Sequence, residues 1–177
     1  EEQFPDGSGN RALANTAVST TISSSNGVPV IVERAMWWPG PTPATWAEAH
    51  NSVGATATGT LWALAEGEQG GAANVQTYFT IANTSAYAGQ AKVTLLFDNG
   101  TAPVETTVAL PGNSRTNVSP PADFAASFPA GSHRRFGALV ESVGTTPAQI
   151  VVERPMYWDA NGVSWAAGTN AVATRLR

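Results

Sequence analysis

Apolar and polar residues alternate in short stretches along this 177-residue chain. In residues 75–81 (VQTYFTI) and 91–97 (AKVTLLF), every second side chain belongs to one apolar face. A period of two residues is typical of strands with one buried and one solvated face. Turn-forming pairs such as Asn99-Gly100 and Asn161-Gly162 separate such runs, and helical periodicity is confined to one or two turns around residues 122–128. The pattern predicts an all-β fold, specifically an antiparallel β-sandwich.

One segment occurs twice. Residues 30–38 (VIVERAMWW) match residues 150–158 (IVVERPMYW) at a shift of 120, with five of the nine positions identical. A second match follows, in which Trp46 aligns with Trp165 at a shift of 119 because one turn is a residue shorter. Met and Trp are scarce in the chain, with 2 and 6 copies, so we interpret the match as an internal repeat of about 120 residues.

The repeat period divides the chain unevenly. Residues 1–10 are predicted to be a flexible leader, residues 11–61 the C-terminal half of a repeat unit, and residues 62–177 one complete sandwich unit. Half a sandwich cannot bury its own apolar face. We therefore expect the strands of residues 11–61 to pack on the complete unit or on a neighbouring subunit.

Four motifs carry a resemblance to a known family. They are residues 61–67 (LWALAEG), 78–83 (YFTIAN), 111–115 (PGNSR) and 151–158 (VVERPMYW). Over most of residues 28–177 the chain resembles a family of uncharacterised immunoglobulin-like repeats in large secreted or cell-surface bacterial proteins. The resemblance implies an immunoglobulin-like sandwich in a tandem extracellular array, without catalytic residues. The first copy departs from the family pattern at Trp37, where the family has Tyr.

The repeated strand defines the predicted structural residues. These are Val32, Glu33, Arg34, Met36 and Trp38 in the first copy, and Val152, Glu153, Arg154, Met156 and Trp158 in the second. Alternation places each Arg on the face of the Val and Met, and each Glu on the opposite face. The two copies share no second carboxylate or base that catalysis would require. We expect each Arg to stack on a Trp of its strand and each Glu to pair with a neighbouring strand or an Arg.

Further aromatic residues surround the turns of both copies, at Trp37, Trp46, Tyr157 and Trp165. Three interpretations remain open for them: core packing, a contact between modules or subunits, and stacking on the apolar faces of glycans. Glycan binding requires at least two coplanar, exposed rings, whereas a structural role requires buried rings.

Composition narrows the possible functions. The chain has 9 Lys and Arg against 13 Asp and Glu, a net charge of −4, and no cysteine. This excludes the basic surface that nucleic acid requires, disulfides and thiolate sites. No run of 18 apolar residues predicts a membrane span. The low-charge surface, rich in Thr, Ser, Ala and Gly, is typical of secreted or cell-surface modules, and the start at Glu1 indicates a processed or excised segment.

Candidate chemistry is sparse. The Glu48-Ala49-His50 pair is replaced by Ala167 and Thr169 in the second copy, and His133 lies in a basic loop. Asp159-Ala160-Asn161-Gly162 resembles the start of a calcium loop but lacks the distant bidentate Glu, so a hairpin turn is expected. We predict no metal, no cofactor and no enzymatic activity.

Two functions remain. The first is a structural or adhesive module that assembles with copies of itself, in tandem or as a filament. The second is a carbohydrate-binding module whose partners are glycans. Sequons at Asn83, Asn99 and Asn117 are relevant only in a host that glycosylates Asn.

Overall fold

A computed structural model describes Gly9, Arg11, Leu13 and residues 16–39 and 46–177. The chain divides into two compact units, residues 1–30 and 31–177. In the first unit, residues 16–30 contain no strand and are exposed, and the Asn26 side chain accepts hydrogen bonds from Ser24 Oγ and Val28 N. Apart from Gly9, the predicted leader lies outside the described residues, and the predicted boundaries at residues 10 and 61 stay predictions.

The described residues of the second unit form thirteen strands in three antiparallel sheets. Strands β1 (Glu33–Pro39) and β2 (Trp46–Val53) form a separate two-stranded sheet, here called the N-terminal hairpin. The six-stranded sheet contains β3 (Leu61–Leu64), β4 (Glu68–Gln69), β7 (Gly89–Phe97), β8 (Val104–Leu110), β10 (Arg134–Val143) and β13 (Thr174–Arg175). The five-stranded sheet contains β5 (Gln76–Thr77), β6 (Phe79–Asn83), β9 (Ser114–Val118), β11 (Ile150–Ala160) and β12 (Val163–Val172).

The order within the large sheets mixes strands from both ends of the unit. The six-stranded sheet runs β13-β3-β10-β7-β8, with β4 paired to β10, and the five-stranded sheet runs β12-β11-β6-β9, with β5 paired to β11. Strands β11 and β12 form the C-terminal hairpin, the second copy of the repeated segment. The predicted all-β sandwich is confirmed.

The core lies between the two large sheets. Its completely buried side chains come from both, namely Phe79, Ile81, Val118, Ile150 and Val152 of the five-stranded sheet and Val93, Leu95, Leu110 and Val140 of the six-stranded sheet. The face predicted for residues 75–81 is confirmed, because Val75, Thr77, Phe79 and Ile81 are each at most 9% exposed. Thr77 is accommodated by hydrogen bonds in both directions with the backbone of Glu68.

Within the described part of the chain, helical structure is confined to one short segment. Helix α1 (Pro120–Asp123) is followed by a 3-10 turn at Ala125–Ser127, close to the predicted residues 122–128. Asp123 lies at the end of α1, where its Oδ2 accepts a hydrogen bond from the backbone N of Ser119. No helix in the described part of the chain is long and apolar enough to cross a membrane.

The two ends of the sandwich lie side by side. Strand β13 pairs with β3, and Arg177 O accepts hydrogen bonds from Thr60 N at 2.7 Å and Leu61 N at 3.3 Å. Leu61 O accepts one from Leu176 N at 2.8 Å. The segment that joins the N-terminal hairpin to the sandwich is held by Gly59, which exchanges two backbone hydrogen bonds with Ile150.

Candidate functional site

The two copies of the repeated segment are antiparallel hairpins in the same register. Glu33 faces Val53 across the N-terminal hairpin, and Glu153 faces Val172 across the C-terminal one. These pairs correspond to each other under the shifts of 120 and 119 found in the sequence. The sequence repeat is therefore a structural repeat, and the register of each hairpin shifts at equivalent positions, just after Trp38 and just after Trp158.

The same face of the two hairpins lies in different surroundings. In the C-terminal hairpin, the face of Val152, Arg154 and Met156 is buried in the sandwich. In the N-terminal hairpin, the corresponding face is formed by Val32 just before β1, by Arg34, Met36 and Trp38 of β1, and by Glu48, His50 and Ser52 of β2. This face packs on the outer side of the C-terminal hairpin, with β2 against β12. We call this contact the seam.

Polar and aromatic contacts between described residues cross the seam. Arg34 Nη1 lies 3.0 Å from Glu153 Oε2. Trp38 Nε1 donates a hydrogen bond of 2.9 Å to Trp165 O, and the Trp38 ring meets Tyr157 at 5.8 Å with the planes at 77°. The Arg of the first copy is thus paired with the Glu of the second, and an aromatic ring of one hairpin contacts an aromatic ring of the other.

The aromatic rings pack on one another. Tyr157 and Trp165 are stacked at 4.9 Å with their planes 19° apart, and Tyr78 contacts both at 6.5 and 6.4 Å. Trp165 is 43% exposed and Trp37 48%, the latter on the opposite face of β1. Trp158 is half-buried, and the side chain of Trp46, the first residue of β2, lies outside the described residues. The rings at the seam therefore face each other instead of forming one coplanar row.

Asp159 fixes the backbone beside the seam. Its Oδ1 accepts a hydrogen bond from Trp165 N and its Oδ2 one from Asn74 Nδ2, both at 2.9 Å. Trp165 has a φ of 54°, a left-handed conformation that is rare for a bulky residue. The hydrogen bonds from Asn74 and Trp165 lower the pKa of Asp159. Asp159 thus holds the carbonyl of Trp165 where Trp38 binds it.

The segment compared with a calcium loop is a hairpin turn, as predicted. Asn161 and Gly162 have φ of 53° and 75°, which is typical of the type I′ turn that joins two strands. Both oxygens of the Asp159 carboxylate are already engaged within the protein. Among the described residues, no three His, Cys, Asp or Glu side chains form a cluster that could hold a metal ion.

The Arg residues of the two copies have acidic partners. Arg154 is 4% exposed, and its Nη1 lies 3.6 Å from Glu66 Oε2 and 3.4 Å from Met156 Sδ. Burial lowers the pKa of Arg154, and Glu66 opposes that shift. Stacking of Arg34 on Trp38 or of Arg154 on Trp158 was expected, but neither is among the ring contacts of the described residues. Instead, Arg134 lies over the Phe97 ring, 6.0 Å from its centroid.

His50 lies inside the seam, although its sequence context predicted no role. It faces Met36 across the hairpin, and its ring meets Trp38 at 5.6 Å with the planes at 66°. Both ring nitrogens are buried without a hydrogen-bond partner. The other histidine, His133, lies 2.8 Å from Glu68, which also binds Arg135. The alternation of residues 46–53 could have predicted that His50 lies on the same face of the hairpin as Trp38.

The structure also contains an open cleft of about 540 Å³ on the six-stranded sheet. Its charged lining consists of Glu66, Glu68, Asp98 and Arg135. Glu66 and Glu68 are used in the ion pairs with Arg154 and Arg135. The cleft therefore offers no nucleophile with an adjacent base among these side chains.

No family model and no curated protein matches this chain. Among solved structures, the crystal structure of Thermotoga maritima 1070 is similar to this chain, with 14% sequence identity and a TM-score of 0.48. The similarity covers 66% of this chain and 94% of that one.

Proposed function

We propose that this chain is a non-enzymatic, extracellular structural or adhesive module that associates with copies of itself through the seam. One observation supports this proposal above all. A half-unit hairpin covers the outer face of the hairpin that matches it in sequence and register. A face that accepts one hairpin of this type within a chain has the complementarity to accept the same hairpin from a neighbouring chain.

The character of the seam supports exchange between chains. The N-terminal hairpin is a sheet of its own, and no strand ladder joins its described residues to β12. A side chain takes part in each hydrogen bond and ring contact named above across the seam. The Arg34–Glu153 pair is partly exposed, with 42% and 22% of the side chains accessible, and such pairs contribute about 1 kcal/mol or less. The Trp38 hydrogen bond adds about 1 kcal/mol. Contacts of this size permit opening and re-formation in a neighbour.

Exchange would produce open assemblies. The hairpin of one chain would contact the sandwich of the next, and that chain's own hairpin would remain available for a third. A head-to-tail contact of this kind does not close on itself unless its rotation forms a ring, and otherwise produces a filament.

Charge reversal at the seam tests the proposal. Sedimentation velocity of the full chain at rising concentration should show multimers, and either Arg34→Glu or Glu153→Arg should abolish them by placing like charges 3.0 Å apart. A mixture of the two variants should associate, because the reversed hairpin of one complements the reversed sandwich of the other. Arg135→Glu, which breaks an ion pair with Glu68 on the other sheet, is the matched control.

A monomeric wild-type chain at every concentration, with the hairpin protected from proteolysis, would show that the seam forms only within one chain. The proposal of self-assembly would then be wrong. Retention of multimers in both single variants would show that assembly uses another surface.

Glycan binding is the alternative, and the exposure of Trp165 and Trp37 favours it. The stacked arrangement of Tyr157 on Trp165 and the perpendicular Trp38 weigh against a flat platform. Affinity electrophoresis in gels that contain polysaccharides separates the two functions. Retardation that Trp165→Ala abolishes, in a chain that stays monomeric, would favour the carbohydrate-binding module.

A further inference from the structure

We propose that His50 makes the seam sensitive to pH, so that the N-terminal hairpin is docked near neutrality and released on mild acidification. The inference names a regulation of the seam, and its consequence for assembly rests on the proposed function. The docking of the hairpin within a single chain is itself sufficient to test it.

The position of His50 favours its neutral form. The ring lies on the docked face of β2, against Trp38, and neither Nδ1 nor Nε2 has a hydrogen-bond partner. A neutral imidazole has one N–H donor, whereas a protonated imidazole has two donors and a full charge. Protonation in the docked state would therefore bury a charge without an acceptor for either N–H.

Charged groups on four strands surround the ring or its immediate neighbours. They are Arg34 on β1, Glu48 on β2, Arg115 on β9 and Glu153 on β11, with the phenol of Tyr157 beside them. Glu153 is paired with Arg34 at 3.0 Å, and Glu48 Oε1 accepts the backbone N–H of Ala49 at 2.9 Å. Glu153 and one oxygen of Glu48 are thus engaged elsewhere, and the two Arg side chains balance the charge of the two carboxylates.

These contributions act in opposite directions, and burial is the largest. Burial lowers the pKa of His50 below 6.5, Arg34 lowers it further, and Glu153 and Glu48 oppose the shift. In a released hairpin the imidazole is in water and has its ordinary pKa. The released state therefore binds the proton more strongly than the docked state does.

The sign of the effect follows by linkage. The docked state has the lower pKa, so its stability is fully present above pH 6.5 and is lost as pH falls through the pKa of the docked form. Each pH unit in that interval reduces the docking equilibrium constant by up to about tenfold.

The second copy of the repeat provides the control. Its residue at the position of His50 is Thr169, which faces Met156 as His50 faces Met36. The variant His50→Thr therefore places in the first hairpin a residue that the same register already accommodates. His133→Gln removes the other histidine, which pairs with Glu68 on the six-stranded sheet.

Hydrogen exchange of the full chain at low concentration provides the measurement. Protection factors of the β1 and β2 amides, corrected for intrinsic exchange at each pH, are compared between pH 7.5 and 5. We expect a progressive loss of protection in the wild type and in His133→Gln, and a flat profile in His50→Thr. A flat wild-type profile, or the same loss in His50→Thr, would overturn the inference.

The result is separable from that of the proposed function. Sedimentation velocity at the same pH values reports assembly, while exchange in a dilute monomer reports docking alone. Loss of docking without multimers at any pH would leave the role of His50 intact and refute self-assembly. Multimers without any pH dependence of docking would refute only the role of His50.

Discussion

The ring of Tyr157 lies directly over Gly168, its partner across β11 and β12. A Cβ at residue 168 would lie 2.6 Å from Tyr157 Cδ1 and 3.1 Å from Met156 O. In the N-terminal hairpin the same register pairs Trp37 with Ala49. The second copy thus has a glycine where the ring must lie close to the sheet, and this places Tyr157 in contact with Trp38 and Trp165.

Gly168→Ala should move the Tyr157 ring and weaken the seam. Overpacking at such a contact costs about 1–3 kcal/mol. Urea denaturation followed by Trp fluorescence measures the loss. Gly54→Ala is the matched control, since a Cβ there meets Val32 at 3.4 Å, an ordinary contact. Equal stability of the Gly168→Ala and Gly54→Ala variants would contradict the tight packing of Tyr157.

The two methionines of the repeat should differ in their contribution to stability. Met156 is 9% exposed, on the face of β11 that lies toward the core, and Met156→Ala should cost about 2–5 kcal/mol. Met36 occupies the corresponding position of β1 but is 38% exposed, so Met36→Ala should cost about 1 kcal/mol or less. Chemical denaturation of both variants decides the point. Similar losses would show that the two hairpins are buried alike.

Asn83 should be intolerant of a charge. Its buried Nδ2 donates to the carbonyl oxygens of Tyr87, Leu110 and Pro111, at 2.9, 3.2 and 3.0 Å. Asn83→Asp would place a carboxylate among these acceptors, and we expect a loss of about 3 kcal/mol or more in the free energy of unfolding. Asn117→Asp, at an exposed sequon on β9, should change stability by about 0.5 kcal/mol at most. A fully stable Asn83→Asp would refute the assigned amide orientation.

In a host that glycosylates Asn, the same burial predicts which sequons are modified. Asn99 and Asn117 are exposed, whereas Asn83 is 2% exposed. Mass spectrometry of glycopeptides from the folded chain, expressed in such a host, should find glycan on the first two at most. Full occupancy of Asn83 would mean that modification precedes folding and that the sandwich accommodates it.

Asp159 should contribute to stability in a pH-dependent way. Its hydrogen bonds lower its pKa from the ordinary value of 3.8, so its contribution is present above that value and is lost as pH falls through the lower, folded-state pKa. Asp159→Ala should lower the melting temperature at pH 7 and flatten its decline in acid. Asp98→Ala, in the open cleft, serves as the comparison. A melting temperature that falls equally steeply in Asp159→Ala would exclude this role.

The sequence predicted the elements with strong local signals. The period-two runs predicted β6 and β7, and the Asn161-Gly162 pair predicted the turn between β11 and β12. The repeat matched residues of both strands of the two hairpins, and alternation assigned Arg34 and Arg154 to the same face of their strands. These features depend on residues that are near one another in the chain or equivalent by the repeat.

Local patterns and the repeat could not predict the contacts of the seam. Arg34 and Glu153 are paired across the two copies, whereas the repeat compares only equivalent positions. Asn74 lies in the turn before β5, and Tyr78 lies between β5 and β6; neither carries a motif that links it to Asp159 or Trp165. The repeat predicts no role for His50 because its counterpart is Thr169, yet that difference makes the first hairpin chemically distinct.

The adjacency of Thr60 and Arg177 has a mechanical consequence. A force that pulls these two residues apart acts across the antiparallel pair β3–β13, perpendicular to its strands. Hydrogen bonds loaded in this geometry break one after another, beginning with those to Arg177 O, instead of sharing the load as they would in shear. The short β13 would detach from β3 while the two large sheets stay packed on each other. The chain would therefore lengthen under tension before the core is disrupted.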